Sequence, residues 1–586
     1  MHIHMKKILI PVLSVLAVLT ACNQDLLEIP QKGVIYTENF YNTDEDAEAA
    51  LVAAYSSLLG DLSTSNMSIY NPMHFAYNLC GDDLFAAGEF FGDNDFAAAL
   101  NEFRHDTSSE VLYKAYSNFY YVIYHCNLVL SNFENGLKEG GHTAVTKRVV
   151  AEARVLRAYC YMMLAIGWGT PPHVLQPIGV YDFPTNYDGT QADLLRWCAK
   201  ECETALPELT ERESKADKLG AVKVTKGFAN AIAGKCYVFA GDFTEAKSAL
   251  EAVISSDKYA LVPGDRLWEN FHVPGDGNEE KVFEVNIQTT GSVGWYGSYT
   301  TWMESNIWGW RSDHFVVSPN NPLTGIDGWG GLGVPEWFAE TFIENDGLDS
   351  KRLQNSIISI EDAVYNTTYG LADVDNLTLD QKKTSDKLGI KGSGLYGQSF
   401  YLAKKQQPMK FVDFFYPGDN CRLNNFILMR YAEVLLLYAE ACLKADTPDP
   451  AKALEVVNMI QERAGSKTVS TSVDMNVIER EKLLELWLEG SRWPDMVRWQ
   501  KFDRAKNAAQ AVPVMYDKVT RTPAATDKNV QWNHGSESNS RFYTVDTQAA
   551  IDAGYEVGFK EGKHELFPFP FNITRVNKVL VQNPGW

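Results

Sequence analysis

Amphipathic helical segments arranged in two blocks are the feature that most constrains the fold of this 586-residue chain. In each segment, apolar residues recur at spacings of three and four, which places them on one face of an α-helix. The first block covers about 40–260 and the second about 425–505. We therefore predict a mostly α protein. The predicted helices are Asp44–Leu59, Ser108–Asn132, Thr146–Gly167, Gln191–Leu206, Lys223–Ala240, Phe243–Ser255, Asn425–Lys444, Pro450–Ala464 and Asn476–Lys501.

Two pairs of these helices resemble tetratricopeptide units. The first pair, 226–255, has the turn Gly241-Asp242 between its helices, and the second pair, 425–464, has a turn before Pro450. A single hairpin of this kind cannot bury its apolar face, so the hairpins are expected to stack into a solenoid-like scaffold. The residues predicted to face inward are Ala246, Leu250 and Val253 in the first pair and Ala453, Leu454, Val457 and Ile460 in the second.

A long insert separates the two blocks. Residues from about 261 to 424 are rich in Gly, Asn, Trp and Tyr, and their only regular candidates are short, at Lys281–Gln288 and Pro335–Ile343. We predict a loop-rich insert with short strands and helices on one side of the scaffold. A closing segment of about 506–586 follows, and residues 22–586 are expected to form one compact unit.

The N-terminus predicts a lipid anchor. Two lysines and an apolar run, Ile8–Leu19, that is too short to span a bilayer are typical of a signal peptide, here 1–21. The small pair Thr20-Ala21 directly before Cys22 indicates a lipobox, in which Cys22 is diacylated and becomes the first mature residue. An ordinary signal peptide with an incidental cysteine is the alternative. Residues 1–4 precede a second start methionine; they are interpreted as an upstream start or a non-native extension and are excluded from the fold prediction.

Net charge and cysteine content limit the classes of partner and cofactor. The formal charge is −22, and it becomes −24 when Lys6 and Lys7 leave with the signal peptide. A negative field opposes binding to nucleic acid and favours a neutral ligand over a strongly anionic one. The nine cysteines include no CxxC pair or histidine at zinc spacing, so no metal site is expected. Cys198 and Cys202 are interpreted as buried free thiols.

Five segments, taken in order, resemble one family. They are CNQDLLEIPQKG with FYNTDEDAEAALVAAYSSL near the N-terminus, AEARVLRAYCYMMLAIGWGTPP from Ala151, RLNNFILMRYAEVLLLYAEA from Arg422, ERAG with REKLLELWLEGSRWPDMVRW from Glu462, and LFPFPFNITRVNKVLVQNPGW at the end. Over nearly the whole chain they resemble the SusD/RagB-like family of Bacteroidetes outer-membrane nutrient-binding lipoproteins.

That resemblance implies a SusD-like fold with tetratricopeptide-like hairpins. It also implies a noncatalytic protein that is lipid-anchored at the cell surface of the outer membrane. The implied ligand is a polysaccharide or oligosaccharide, and the implied partner is a SusC-like TonB-dependent transporter that receives it.

Charged residues on the predicted helices have spacings typical of ion pairs. We interpret them as structural networks rather than active-site carboxylates, because structural ion pairs are common. One proline complicates the first group, since proline inside a helix removes a hydrogen bond. The groups are Glu489, Arg492, Asp495 and Arg498, around Pro494, and Glu152, Arg154 and Arg157.

An aromatic cluster in the insert predicts a ligand site. The sequence GWYGSYTTWMESNIWGWRSDHF, Gly294–Phe315, interleaves its rings with Gly and Ser rather than at helical spacing. Flat rings pack on the C–H faces of sugars while polar side chains reach the hydroxyls. The alternative is that about half of these rings fill space against the scaffold. The residues predicted to be exposed are Trp295, Tyr296, Trp302, Trp308, Trp310 and Trp329, with Asn306, Arg311 and Asp313 as polar partners.

A second candidate loop is GDDLFAAGEFFGDNDF, Gly81–Phe96. The resemblance implies ligand contacts on loops after the first helix, and here these would be Phe90, Phe91 and Asn94. Phenylalanine stands where a sugar platform more often has tryptophan. The acidic pair Asp82-Asp83 and the run 93–95 could hold calcium, but they lack the EF-hand spacing. A solvated turn is therefore expected, and no cofactor is assigned.

Other functions remain open from the sequence alone. A RagB-type peptide receptor would bind through backbone hydrogen bonds along a groove, whereas a row of flat rings favours sugar. A surface glycoside hydrolase needs two carboxylates at about 5 Å or 6.5–9.5 Å, and no segment singles out a pair among the 75 acidic residues. A pure protein-interaction scaffold is suggested by the helical hairpins, which often bind partner chains.

Overall fold

The first block of the chain contains eight helices within the described residues. They are α1 (Asp44–Ser57), α2 (Pro72–Leu79), α3 (Asp95–Asn101), α4 (Glu110–Phe133), α5 (Ala144–Trp168), α6 (Gln191–Ala205), α7 (Lys226–Ala240) and α8 (Phe243–Ser255). The structure is a computed structural model. It describes residues 40–59, 72–86, 95–179, 181–287, 330–359, 401–409, 412–413, 422–501, 513–517, 541–545 and 558–586.

The remaining elements follow in chain order. The later helices are α9 (Glu336–Asp346), α10 (Lys351–Ser356), α11 (Tyr431–Lys444), α12 (Pro450–Ala464), α13 (Met475–Glu485), α14 (Arg492–Arg498) and α15 (Phe571–Thr574). The strands are β1 (Phe85–Ala86), β2 (Lys281–Val285), β3 (Leu332–Gly333), β4 (Ile357–Ser359), β5 (Tyr401–Ala403), β6 (Phe426–Arg430), β7 (Pro513–Asp517) and β8 (Arg541–Val545). Short 3₁₀ turns occupy Leu206–Glu208, Gly220–Val222, Gly264–Phe271 and Val273–Gly275.

The helices form one continuous stack. From α4 to α8 each helix packs against the next, α8 packs against α11, and α11 packs against α12. The contact between α8 and α11 therefore joins two blocks that are far apart in sequence. This confirms the prediction of a mostly α protein with stacked hairpins. Among the described helices, none is both long enough and apolar enough to cross a membrane.

Local signals explain where the hairpin helices begin and end. Helix α7 ends at Gly241, which has a φ of +86°, and α12 ends at Gly465, which has a φ of +68°. Glycine adopts this left-handed conformation without the penalty that a Cβ atom brings. The Asp449 side chain accepts a hydrogen bond from the Lys452 amide at the start of α12, and Pro450 fills its first position.

The predicted inward faces are largely confirmed. In α8 all three predicted residues are buried. In α12 the prediction was wrong at Leu454, which is half-buried, because Val456 takes the inward position instead. Cys198 and Cys202 are buried free thiols, as predicted.

Two helix predictions in the second block were wrong. The segment predicted as a helix from Asn425 begins as strand β6, which pairs antiparallel with β2. The helix predicted to run to Lys501 is two helices, α13 and α14, so Pro494 lies in the first turn of α14, where its missing N–H does no harm. Helices α2 and α3 were not predicted.

The strands in the described ranges form four separate two-stranded antiparallel ladders. They pair β1 with β3, β2 with β6, β4 with β5 and β7 with β8. Ladder β2–β6 attaches the start of the insert to the second helical block, whereas β1–β3 attaches its middle to the first block. The candidates at Lys281 and Pro335 are thereby confirmed as strand β2 and helix α9.

The predicted structural networks are present, but with different partners from those expected. Arg498 pairs with Asp495 three residues away and also with Glu440 of α11. Arg492 instead pairs with Asp82, and Glu489 accepts hydrogen bonds from Arg430 and Lys405. The Asp495–Arg498 pair is local, as expected, whereas the expectation of local partners was wrong for Glu489 and Arg492, because tertiary partners outcompete the local spacing.

The second network joins neighbouring helices of the first block. Arg154 and Arg157 both pair with Glu201 of α6, at 3.0 and 2.8 Å. Glu152 accepts a hydrogen bond from the Tyr55 hydroxyl of α1 at 2.5 Å. These charges hold α1, α5 and α6 together, which confirms their structural role.

Candidate ligand-binding site

The predicted ligand contacts fall on two chain segments, 87–94 and 288–329, which we call the ligand segments. Both segments, and Cys22 with its leader, lie outside the described residues. Exposure of their aromatic rings therefore stays a prediction. What the structure describes is how the ends of the two ligand segments are held.

One flank of each ligand segment lies in ladder β1–β3. Ala86, the residue before segment 87–94, pairs with Leu332, which lies just after segment 288–329. Phe85 pairs with Gly333 in the same antiparallel register. Because paired strands lie about 4.8 Å apart, the first segment leaves and the second returns at one edge of this ladder. The structure thus brings together the residue before the first segment and a residue just after the second.

A third segment ends close by. Ladder β4–β5 pairs Ser359 with Tyr401, so it closes the segment 360–400. Strand β3 also contacts β5, which places this ladder beside β1–β3. Ladders β1–β3 and β4–β5 therefore lie side by side, and each holds chain that flanks one or two of these segments.

Residues between α13 and α14 hold the chain just before strand β1. The Trp487 indole N–H donates to the Asp83 carbonyl at 3.0 Å, and the Gly490 amide donates to Asn78 Oδ1 at 2.7 Å. The Trp487 ring also lies 4.9 Å from the Phe338 ring of α9, centroid to centroid. These contacts fix the strand from which segment 87–94 departs. The sequence offers no signal for them, since the partners are about 400 residues apart.

The Asp82-Asp83 pair is buried, so the prediction of a solvated turn was wrong. Asp82 accepts hydrogen bonds from the Arg492 guanidinium at 2.6 and 3.1 Å. Asp83 is 2% exposed, and no partner among the described residues reaches its Oδ1. Burial, and next the charge of Asp82, raise the pKa of Asp83 to about 7. An arginine that enters from α14 makes this buried pair possible.

The start of segment 288–329 is held by a separate polar cluster. The Ile287 amide donates to Asn425 Oδ1 at 2.8 Å, and the Asn425 amide group donates to Glu284 Oε1 at 2.7 Å. Asn425 N–H also donates to Asp276, whose pKa burial raises to about 7. Asn425 thus ties the end of β2 to the second helical block.

The carboxylates of this cluster do not form an accessible catalytic pair. Glu284 is fully buried, and burial raises its pKa. A hydrolase would need two carboxyl groups that reach a glycosidic bond in solvent. Within the described ranges, no group of three or more His, Cys, Asp or Glu side chains is placed to hold a metal ion.

Comparison with known proteins identifies the family of this helical protein. Residues 280–586 match the SusD family. The chain belongs to the SusD family. A SusD-like protein of Bacteroides ovatus is 24% identical over 525 residues, covering 86% of this chain and 84% of the relative. SusD-like protein P38 of Formosa agariphila is 23% identical over 512 residues, covering 83% and 90%.

Solved structures share the fold over nearly all of the chain. A surface glycan-binding protein A of Bacteroides thetaiotaomicron, in complex with laminarihexaose, superposes with a TM-score of 0.68 at 20% identity, covering 92% of this chain and 100% of that protein. A laminarin-binding SusD-like protein superposes with a TM-score of 0.66 at 22% identity, covering 93% and 100%. At these identities the likeness establishes the fold, and the predicted SusD-like fold is confirmed.

Proposed function

We propose that this protein binds a polysaccharide or its fragments at the cell surface, without catalysis, and passes them to a SusC-like TonB-dependent transporter. We further propose that Cys22 carries the lipid that anchors the chain to the outer membrane, and that binding needs no cofactor. The observation that carries the proposal is the pairing of Ala86 with Leu332, which brings together chain that flanks the two ligand segments.

The chemistry of the ligand segments supports a saccharide. Rigid aromatic rings offer large contact area with little loss of rotamer entropy, and neighbouring polar side chains satisfy hydroxyl groups. Family membership supports the same ligand class, since related proteins of the same fold bind laminarin and laminarihexaose. The acidic net charge favours a neutral glycan. Laminarin, a neutral glucan, is therefore the first polysaccharide to test.

Affinity electrophoresis tests the proposal. The unaltered protein and the variant with Trp295→Ala, Trp302→Ala and Trp308→Ala are run in native gels containing laminarin, starch, xyloglucan or mannan. We expect at least one polysaccharide to retard the unaltered protein, and the triple variant to lose most of that retardation. Val579→Ala, at an exposed position of the C-terminal segment, is the control. Retardation that survives the triple change would contradict the site.

Two further measurements separate the rival functions. Incubation with the bound polysaccharide should release no new reducing ends, whereas a hydrolase would release them. A mixture of short peptides should not compete with the polysaccharide, whereas a peptide receptor of the RagB type would be inhibited. Either opposite result would replace the glycan-receptor proposal.

A further inference from the structure

A preformed groove of about 320 Å³ lies between the start of α4 and the start of α15, and none of the residues of ladder β1–β3 lines it. Ligand sites typically have about 300–1,000 Å³, so this groove has room for a short stretch of a chain molecule. Its walls include Ser108, Glu110, Tyr113 and Lys114 on the α4 side and Phe571 and Asn572 on the other side.

Hydrogen bonds hold the two walls of the groove in place. The Phe571 amide donates to the Thr107 carbonyl at 2.7 Å, which joins the walls directly. Asp106 accepts hydrogen bonds from the Ser108 amide and hydroxyl at 2.7 and 2.5 Å, which fixes the turn before α4. Because the walls are already ordered, a ligand would lose little free energy in arranging them.

The groove combines an apolar ring with polar groups of opposite charge. The Phe571 side chain is 50% exposed, although phenylalanine is usually buried. Glu110 and Lys114 stand four residues apart on α4, so a carboxylate and an ammonium group face the same side. Their charges cancel, which disfavours a strongly anionic or cationic ligand, and the exposed Asn572 amide both donates and accepts.

We infer that this groove is a second saccharide subsite, separate from the ligand segments, that takes a short stretch of the same neutral polysaccharide. A sugar ring suits this groove, because its apolar C–H face can pack on Phe571 while its hydroxyl groups bind Lys114 and Asn572. The inference rests on the proposed function. Two contacts on one long chain raise its affinity, whereas an oligosaccharide too short to span both sites gains nothing from the second.

Substitution of Phe571 tests the inference with a matched control. Phe571→Ala, Phe571→Tyr and Val579→Ala are compared with the unaltered protein, and Val579 is 49% exposed in the same C-terminal segment but does not line the groove. Binding of laminarin, or of whichever panel polysaccharide binds best, is measured by calorimetry together with binding of its hexasaccharide. Thermal unfolding shows that each variant is folded, and Asn572→Ala serves as a second groove variant.

We expect Phe571→Ala to weaken polysaccharide binding by about three- to tenfold, the size of one lost aromatic contact, and to leave hexasaccharide binding unchanged. Phe571→Tyr and Val579→Ala should bind like the unaltered protein, and Asn572→Ala should resemble Phe571→Ala. Equal polysaccharide binding by Phe571→Ala and Val579→Ala overturns the groove and leaves the proposed function intact. A parallel loss of hexasaccharide binding would contradict the claim that the groove is separate from the ligand segments. Absence of polysaccharide binding by the unaltered protein would overturn both proposals.

Discussion

At the scale of single residues, two buried ionisable side chains differ from the paired charges around them. Within the described part of the chain, no hydrogen-bond partner reaches Oδ1 of Asp83 or either ring nitrogen of His105. A buried ionisable group without a partner destabilises the folded protein most when the group is charged, because the charged form needs solvation most. Each of these residues should therefore make the stability of the protein depend on pH, and the two dependences have opposite signs.

Asp83→Asn should stabilise the protein above neutral pH. The folded Asp83 keeps its proton up to about pH 7, whereas the unfolded residue loses it near pH 4. The folded state thus binds more protons across this window, and stability falls as pH rises from about 4 to 7. We expect the variant to gain on the order of 2 kcal/mol at pH 8 and little at pH 4, measured by denaturant unfolding. An equal gain at both pH values would contradict the pKa assignment.

His105→Phe should stabilise the protein in acid. Burial, and to a lesser extent Lys563, lower the pKa of His105 to about 4, while Asp106 opposes this shift. The unfolded residue takes a proton near pH 6.5, so stability is lost as pH falls from about 6.5 to 4. The ring lies 6.0 Å from Phe567 and 5.1 Å from Trp586, among aromatic neighbours that suit phenylalanine. The unfolding midpoint should rise more at pH 5 than at pH 7.5, and a pH-independent rise would refute this account.

At the scale of elements, close approach of α7 and α8 depends on one glycine. A Cβ atom at Gly234 would lie 2.4 Å from Leu250 Cγ. Helix propensity alone favours alanine over glycine by about 1 kcal/mol, so an exposed position would be stabilised. Here the overlap opposes that gain, because a packed core tolerates added volume poorly.

Gly234→Ala should therefore destabilise the protein by about 1–3 kcal/mol, despite the better propensity. The double variant Gly234→Ala, Leu250→Ala removes the overlap. The coupling energy between the two changes should then favour the double variant, as a double-mutant cycle of unfolding free energies would show. Stabilisation by Gly234→Ala alone would mean that the two helices are further apart than described.

The elements also show how far sequence could predict the fold. Phe243–Ser255 and Pro450–Ala464 have the predicted bounds, because turn and capping residues mark their ends locally. Strand β6 was not predicted because no glycine, proline or other turn residue separates it from α11, and pairing with β2 makes it extended. Strands β1 and β3 have two residues each, which are too few for an alternating pattern to be recognised in the sequence.

At the scale of the whole molecule, buried ion pairs join the insert to the second helical block. Arg352 of α10 pairs with Asp346 of α9 at 2.8 Å and with Glu481 of α13 at 2.9 Å. Arg430 of β6 pairs with Glu280 at 2.7 Å and with Glu485 at 2.7 Å. Removal of one partner from such a network leaves buried charge uncompensated.

Arg352→Met should cost about 3–5 kcal/mol of unfolding free energy, because Asp346 and Glu481 would remain buried without their cation. Lys452→Met is the matched control, since Lys452 pairs with Glu455 on the exposed surface of α12. Surface pairs contribute little, so the control should unfold like the original protein. Comparable losses in the two variants, measured by denaturant unfolding, would contradict the distinction.

The candidate site was predictable in composition but not in assembly. The clustered rings of segment 288–329 stand out in the sequence, as do the family motifs. The pairing of Ala86 with Leu332, which flank the two segments, does not stand out, because the Asp82–Arg492 pair near it joins residues 410 positions apart. Which of the rings face a ligand depends on packing that no local pattern encodes.

Hydrogen–deuterium exchange of the full chain, with and without a saturating oligosaccharide of the polysaccharide that binds, tests the central claim most directly. If the two ligand segments bind one saccharide, amide exchange should slow in both 87–94 and 288–329, and the exchange rates of helices α6–α8 should be unchanged. Protection confined to the helical hairpins, or to only one of the two segments, would contradict the account.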